Sequence, residues 1–173
     1  HNEFTTGMGV NINDNFGEWL ASPFNRPDDA QQHKTCIDCH MTEDATHFNS
    51  VAGQSTNDGP VKPNLRSHHF VGGNYYFTGM RNSEHKKLSI DILKTALTLD
   101  VEKQGRKLIA KVTNKNSGHH MPGGARRQVW LEVIATDAQG AVVYQSGVMN
   151  QGVIPADARR FIKIGVDKDG VPV

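Results

Sequence analysis

Apolar and polar positions alternate along the second half of the chain and hardly at all along the first. Thr95-Ala96-Leu97-Thr98-Leu99-Asp100-Val101 reads as a strand, followed by a turn at Gln104-Gly105. Further strands are expected over 107–112, 128–135, 141–145 and 161–166. The alternation from Val129 to Ile134, followed by Asp137-Ala138-Gln139-Gly140, predicts an antiparallel hairpin. A second turn signal stands at Asp167-Lys168-Asp169-Gly170; its two aspartates lack the further ligands of a calcium loop and fit a plain turn. Several short strands separated by turns point to an antiparallel, immunoglobulin-like β-sandwich, with Trp130 in its core. The expected fold is therefore mainly β, with the sandwich over 89–173 and a loop-rich region with short helices over 1–88.

Residues 1–88 are punctuated by Gly, Pro, Asn and His. A short helix is expected over 14–21, because Phe16, Trp19 and Leu20 fall at helical spacing behind an Asn13/Asp14 cap. A second is expected over 28–33, after Pro27. Residues 48–66 read as a long polar loop, and long structureless loops in a compact domain are usually functional or wrapped around something. This half carries too few apolar side chains to build an ordinary core.

Composition narrows the function classes. Of 173 residues 36% are hydrophobic, and 19 Lys+Arg against 18 Asp+Glu leave a formal charge of +1. Such a balance gives no basic field to draw nucleic acid or an anionic membrane. No apolar run approaches the roughly 20 residues of a membrane span. The chain begins with His1 and ends just past a turn, so it reads as a processed piece of a longer polypeptide. Nine histidines are many for this length, and there are two cysteines.

Those cysteines carry the chemistry. Residues 36–40 read Cys-Ile-Asp-Cys-His, in which Cys36 and Cys39 suit thioether bonds to the two vinyl groups of one haem, and His40 the fifth position on its iron. A zinc ribbon needs a second cysteine pair, and a Cys2His2 finger needs two suitably spaced downstream histidines, which are lacking. A thioredoxin-like pair needs a βαβ setting, and none is visible. Haem c, one per chain, would also supply the apolar body that the first half lacks. The sixth iron position is open to several donors. Met41 directly follows the proximal histidine and is poorly placed, while His33 and His47 read as surface or loop residues. His68 and His69 end a loop long enough to circle a macrocycle, and His119 and His120 sit between strands.

Phe16-Gly17-Glu18-Trp19-Leu20-Ala21-Ser22-Pro23, followed by Cys36-Ile37-Asp38-Cys39-His40-Met41, resembles a run found in bacterial multihaem c-type cytochromes. Arg66, His68 and Phe70 are similar to an RxHxF segment that supplies a haem ligand there, which makes His68 the first choice for the distal position. The second half resembles the C-terminal β-domain of some of these cytochromes, with a GHxFPTG-type signature. Gly118, His119, Met121, Pro122, Gly123, Gly124, Arg126, Arg127, Trp130, Leu131, Ser146 and Gly147 follow it, with Met121 in place of Phe and Gly123 in place of Thr. The histidine of that signature is a candidate ligand too, so His119 is the second choice. Such cytochromes carry several CxxCH motifs and this chain has one, as in a single-haem member or a fragment.

The resemblance implies an electron carrier with a bis-histidine haem, not an enzyme, exported to the periplasm or the cell exterior. Its partners would be other cytochromes or redox proteins, or further copies in a homo-oligomer or filament. Two other readings stay open: a haem enzyme with an open distal site acting on peroxide or a nitrogen oxide, and a binding or assembly β-module stapled by its haem. No acid–base cluster accompanies the motif, which weighs against the enzyme.

Overall fold

A computed structural model describes residues 4–5, 11–42, 51–125 and 127–172. In chain order the elements are β1 (Phe4–Thr5), β2 (Asn11–Asn13), α1 (Asn15–Leu20), α2 (Cys36–His40), β3 (Val51–Gly53) and β4 (Lys62–Leu65). There follow α3 (Tyr75–Gly79), α4 (Ser83–Ala96), β5 (Leu97–Gln104), β6 (Lys107–Asn114), β7 (Gln128–Leu131), β8 (Val133–Thr136), β9 (Val142–Ser146) and β10 (Arg159–Ile162). Among the described residues the strands pair as five two-stranded antiparallel ribbons, β1–β2, β3–β4, β5–β6, β7–β10 and β8–β9. Among the described residues the fold is mixed and loop-rich, with small antiparallel ribbons and no barrel.

The chain divides into two compact units, 18–118 and 1–17 with 119–173. The expected division between 88 and 89 falls within α4. That boundary would cut a 14-residue helix whose Leu88, Ile92 and Ala96 recur every four residues. The Asn82 side chain caps it by accepting from the His85 amide at 2.9 Å. Lys87 and Asp91 pair one turn apart along its surface. The helix runs directly into β5, so the strand expected from Thr95 starts at Leu97.

In the first unit, β5 and β6 pair in continuous register from Leu97 opposite Asn114 to Gln104 opposite Lys107. Their two-residue turn puts Gly105 at φ +60, the requirement of a II′ hairpin at its first position. The polar stretch 48–66 holds a ribbon and is not a structureless loop: Val51 faces Leu65 and Gly53 faces Lys62. The helix expected over 28–33 is replaced by turns. The Asp29 carboxylate accepts from the amides of Gln31 and Gln32, a local alternative with which so short a helix competes poorly.

In the second unit the expected hairpin forms between β8 and β9. Asp137 Oδ1 accepts from the amides of Gln139 and Ala141, both at 2.9 Å, and Gly140 takes φ +86. The turn at Asp167 repeats this construction, its Oδ1 accepting from Asp169 and Val171 at 2.9 Å before Gly170 at φ +79. The same Asp-x-x-Gly spelling gives the same turn twice, with the carboxylate spent on backbone amides. Trp130 on β7 is half-buried and donates through Nε1 to the Gly147 carbonyl at 3.1 Å. Gly147 has φ +70, and a Cβ there would lie 2.3 Å from the Leu131 carbonyl oxygen. That close approach ties the Trp-Leu and Ser-Gly pieces of the signature together.

Few apolar side chains are covered. Among the described residues the buried ones are Val71, Ile92, Ala96, Pro122 and Ala158. Leu99 pairs with Val112, and Val101 with Ala110, on one face of the β5–β6 hairpin, yet Leu99, Val101 and Leu108 remain exposed.

Gly147→Ala meets both a left-handed backbone and a clash with Leu131. It is expected to cost about 2 kcal/mol or more, read as a lowered urea midpoint, whereas Gly105→Ala, with open space around its Cβ, is expected to cost less.

Candidate functional site

A five-residue helix is too short to stand alone, and α2 is fastened on three sides. Upstream, Trp19 Nε1 donates to the Lys34 carbonyl at 2.8 Å, and its ring meets His33 edge-on with centroids 6.0 Å apart. The Lys34 amide donates to the Phe24 carbonyl at 3.1 Å, and Phe24 N donates to Ser22 Oγ at 3.2 Å. The Glu-Trp-Leu-Ala-Ser-Pro run thus fixes the chain two residues before Cys36. Gly118 belongs to the same cluster, since a Cβ there would come 2.9 Å from Trp19 Cδ1.

At the start of α2, the amide and hydroxyl of Thr35 both donate to Asp38 Oδ2 at 2.7 Å. The other carboxylate oxygen of Asp38 accepts from Arg66 in an ion pair. Burial alone would raise the Asp38 carboxyl, but the Thr35 bonds and the Arg66 charge outweigh it and hold the group below its ordinary 3.8.

Downstream, residues 66–71 run against α2. Ser67 N donates to the Met41 carbonyl at 3.1 Å and Val71 N to the His40 carbonyl at 3.0 Å. In return His40 Nδ1 donates to the Val71 carbonyl at 2.5 Å. The Phe70 ring stacks on the His40 imidazole, centroids 5.2 Å apart and planes 12° from parallel. Phe70 has φ 47, a left-handed conformation costing a bulky residue about 1–3 kcal/mol. The Val71 amide bond and the ring stack, on either side of that backbone, hold it there.

The Val71 carbonyl can only accept, so the proton of His40 sits on Nδ1 and the lone pair on Nε2. That is the tautomer and orientation of a metal-binding histidine. Cys36 is exposed and Cys39 half-buried, and both are free thiols. Cys39 and Leu88 both pack against the cluster of Val71 and Ile92. Burial pushes the Cys39 thiol up to about 11, helped by the neighbouring Asp38 and Cys36 charges and opposed by Lys34 and Arg66. A covalent haem fits the set: two unpaired thiols three residues apart, a histidine whose Nε2 is the lone-pair nitrogen, and the exposed apolar side chains of Ile37 and Phe70 on the fastened segments.

Cys36, Cys39, His40 and His68 all belong to unit 18–118. His68 is exposed, and its neighbours at 66, 67, 70 and 71 are each tied to α2. His69 is half-buried, its ring 5.1 Å from that of His85 and tilted by 40°. Ser67 Oγ, His69 Nδ1 and His85 Nε2 are buried without a hydrogen-bond partner, each at a cost of about 1–3 kcal/mol. His119 belongs to the other unit. Its Nδ1 donates to the His120 carbonyl at 3.0 Å, and a Cβ at Gly123 would lie 2.8 Å from its Cε1. The ring therefore occupies space that the threonine of the signature would take, so the replacement at 123 changes the surroundings of His119. His1, His47 and Arg126 lie outside the described residues; Arg127 is exposed.

Sequence reasoning missed the Asp38–Arg66 pair and the Val71 carbonyl. The first was signalled by Arg66 in the RxHxF segment. The second is backbone, which no side-chain motif spells.

Because the folded value of Asp38 lies below its unfolded one, its contribution to stability is complete above about pH 4 and lost as pH falls through the folded value. Asp38→Asn is expected to cost about 1–2 kcal/mol at pH 7. That difference should narrow as pH falls below about 4, measured by urea unfolding of both proteins at pH 7 and at successively lower pH.

Comparison with family models, curated proteins and solved structures finds no match for this chain, so the likeness to multihaem cytochromes stands on its motif residues.

Proposed function

We propose that the chain is an electron-transfer c-type cytochrome, or a module of one. Cys36 and Cys39 would carry one haem c, His40 would be the proximal ligand and His68 the distal one, with His119 as second choice. The observation that carries this reading is the pair of bonds between His40 and Val71, which fix the lone-pair nitrogen of His40 and anchor the His68 segment to the same helix. When bound, the haem would supply an iron that alternates between ferrous and ferric states.

The protein's own groups have distinct tasks in this scheme. The Val71 carbonyl keeps the proton on His40 Nδ1 and strengthens Nε2 as a donor. The Thr35–Asp38–Arg66 cluster couples the start of α2 to the His68 segment, so that both ligand-bearing pieces move as one. Two imidazole ligands would leave no open position, which favours outer-sphere electron exchange with other cytochromes, redox proteins or further copies, and places the potential in the lower range. Covalent haem attachment implies export to the periplasm or cell exterior. We further propose that β7–β10 and β8–β9 belong to an immunoglobulin-like sandwich serving docking or assembly; the alternation of half-buried and exposed positions along β8, from Val133 to Thr136, supports it.

Periplasmic expression with a haem-attachment system is expected to give a chain heavier by one haem, with a low-spin spectrum in both oxidation states. His68→Ala should convert it to high spin and His119→Ala should not. An unmodified mass would overturn the haem assignment. A high-spin wild type would shift the reading to an enzyme with an open distal site.

A further inference from the structure

The haem assignment leaves His69 and His85 without a task, and their surroundings are unusual for idle residues. Both rings are half-buried, their centroids are 5.1 Å apart, and His69 Nδ1 and His85 Nε2 are buried with no hydrogen-bond partner. Ring-on-ring packing accounts for the contact. It does not account for two unmet nitrogens, since an imidazole in a protein interior ordinarily bonds through its ring nitrogens.

Their backbones are held independently of the rings. His69 lies between Ser67, bonded to the Met41 carbonyl, and Val71, bonded to the His40 carbonyl. His85 is the third residue of α4, with its amide on the Asn82 cap. The pair is thus preorganised by contacts that do not depend on it. Two imidazoles bound side by side on one tetrahedral ion, with bonds of about 2.0–2.1 Å, place their ring centres roughly 5 Å apart. Ligands on opposite faces of a haem would stand wider, at roughly 6 Å.

We propose that His69 and His85 form a two-histidine site for a divalent first-row transition ion of the zinc or copper type, separate from the haem ligands. Imidazole nitrogen selects these ions over magnesium and calcium. Among the described residues no third histidine, cysteine or carboxylate joins the pair, so water would complete the coordination.

Zinc(II) is the probe, added to the full haem-loaded chain and followed by calorimetry, with bound metal measured by plasma mass spectrometry. Tight uptake is expected that His69→Gln and His85→Gln each weaken at least about tenfold, that His120→Gln leaves unchanged, and that magnesium does not compete. Circular dichroism checks the fold of each variant. Should either variant misfold, zinc-dependent slowing of amide exchange over 67–71 and 82–88 in the wild type is the expected result, and its absence overturns the proposal. Unchanged zinc affinity in both folded variants, or no uptake by the wild type, also overturns it. So does loss of the low-spin haem spectrum in His69→Gln alone, which would make His69 an iron ligand and displace the His68 assignment with it.

Discussion

The reciprocal bonding of His40 and Val71 is the contact on which the described 18–118 unit depends. One amide and one ring nitrogen donate, two carbonyls accept, and 31 residues of sequence separation are closed at a single point. Val71 is also fully buried, packed with Ile92. The same residue therefore orients an imidazole through its carbonyl and seats α4 through its side chain. Loss of packing at α4 would be felt at the His40 ring without any change in the ligating residues.

Around that contact the unit has little conventional interior. Its helices and ribbons expose large apolar side chains, with Phe77 69% and Val101 61% exposed. A protein this thinly cored relies on hydrogen-bonded fastenings and on whatever covers its apolar faces. The fastenings at α2 come from stretches far apart in the chain, namely Trp19 to Lys34, Asp38 to Arg66, and Phe70 with Val71 to His40. They are the same stretches that the motif resemblance groups together, which gives each motif residue a physical task besides ligation.

How much of this could be read in advance depended on the kind of signal. The Asp-x-x-Gly turns and the hairpins β5–β6 and β8–β9 were legible because turn chemistry and period-two alternation are local. So was α1, from Phe16, Trp19 and Leu20. Helix α4 was overlooked because Ser89 and Lys residues interrupt its stripe of Leu88, Ile92 and Ala96, and its end fuses with a strand. The β3–β4 ribbon was hidden by Gly53 and Pro63, residues that do not announce a strand. At the site, Cys36, Cys39 and His40 were spelled out, whereas the roles of Asp38 and the Val71 carbonyl depend on tertiary closure.

The buried thiol of Cys39 has a consequence for the life of the chain before any cofactor is attached. Disulfide exchange proceeds through thiolates, and a thiol held at about 11 is almost wholly protonated near neutrality. A small oxidant that reached exposed Cys36 would leave a mixed adduct that Cys39 resolves slowly. In an oxidising compartment the fold itself would then delay internal cross-linking, keeping the second sulfur in its reduced form while the first is the one left open to trapping.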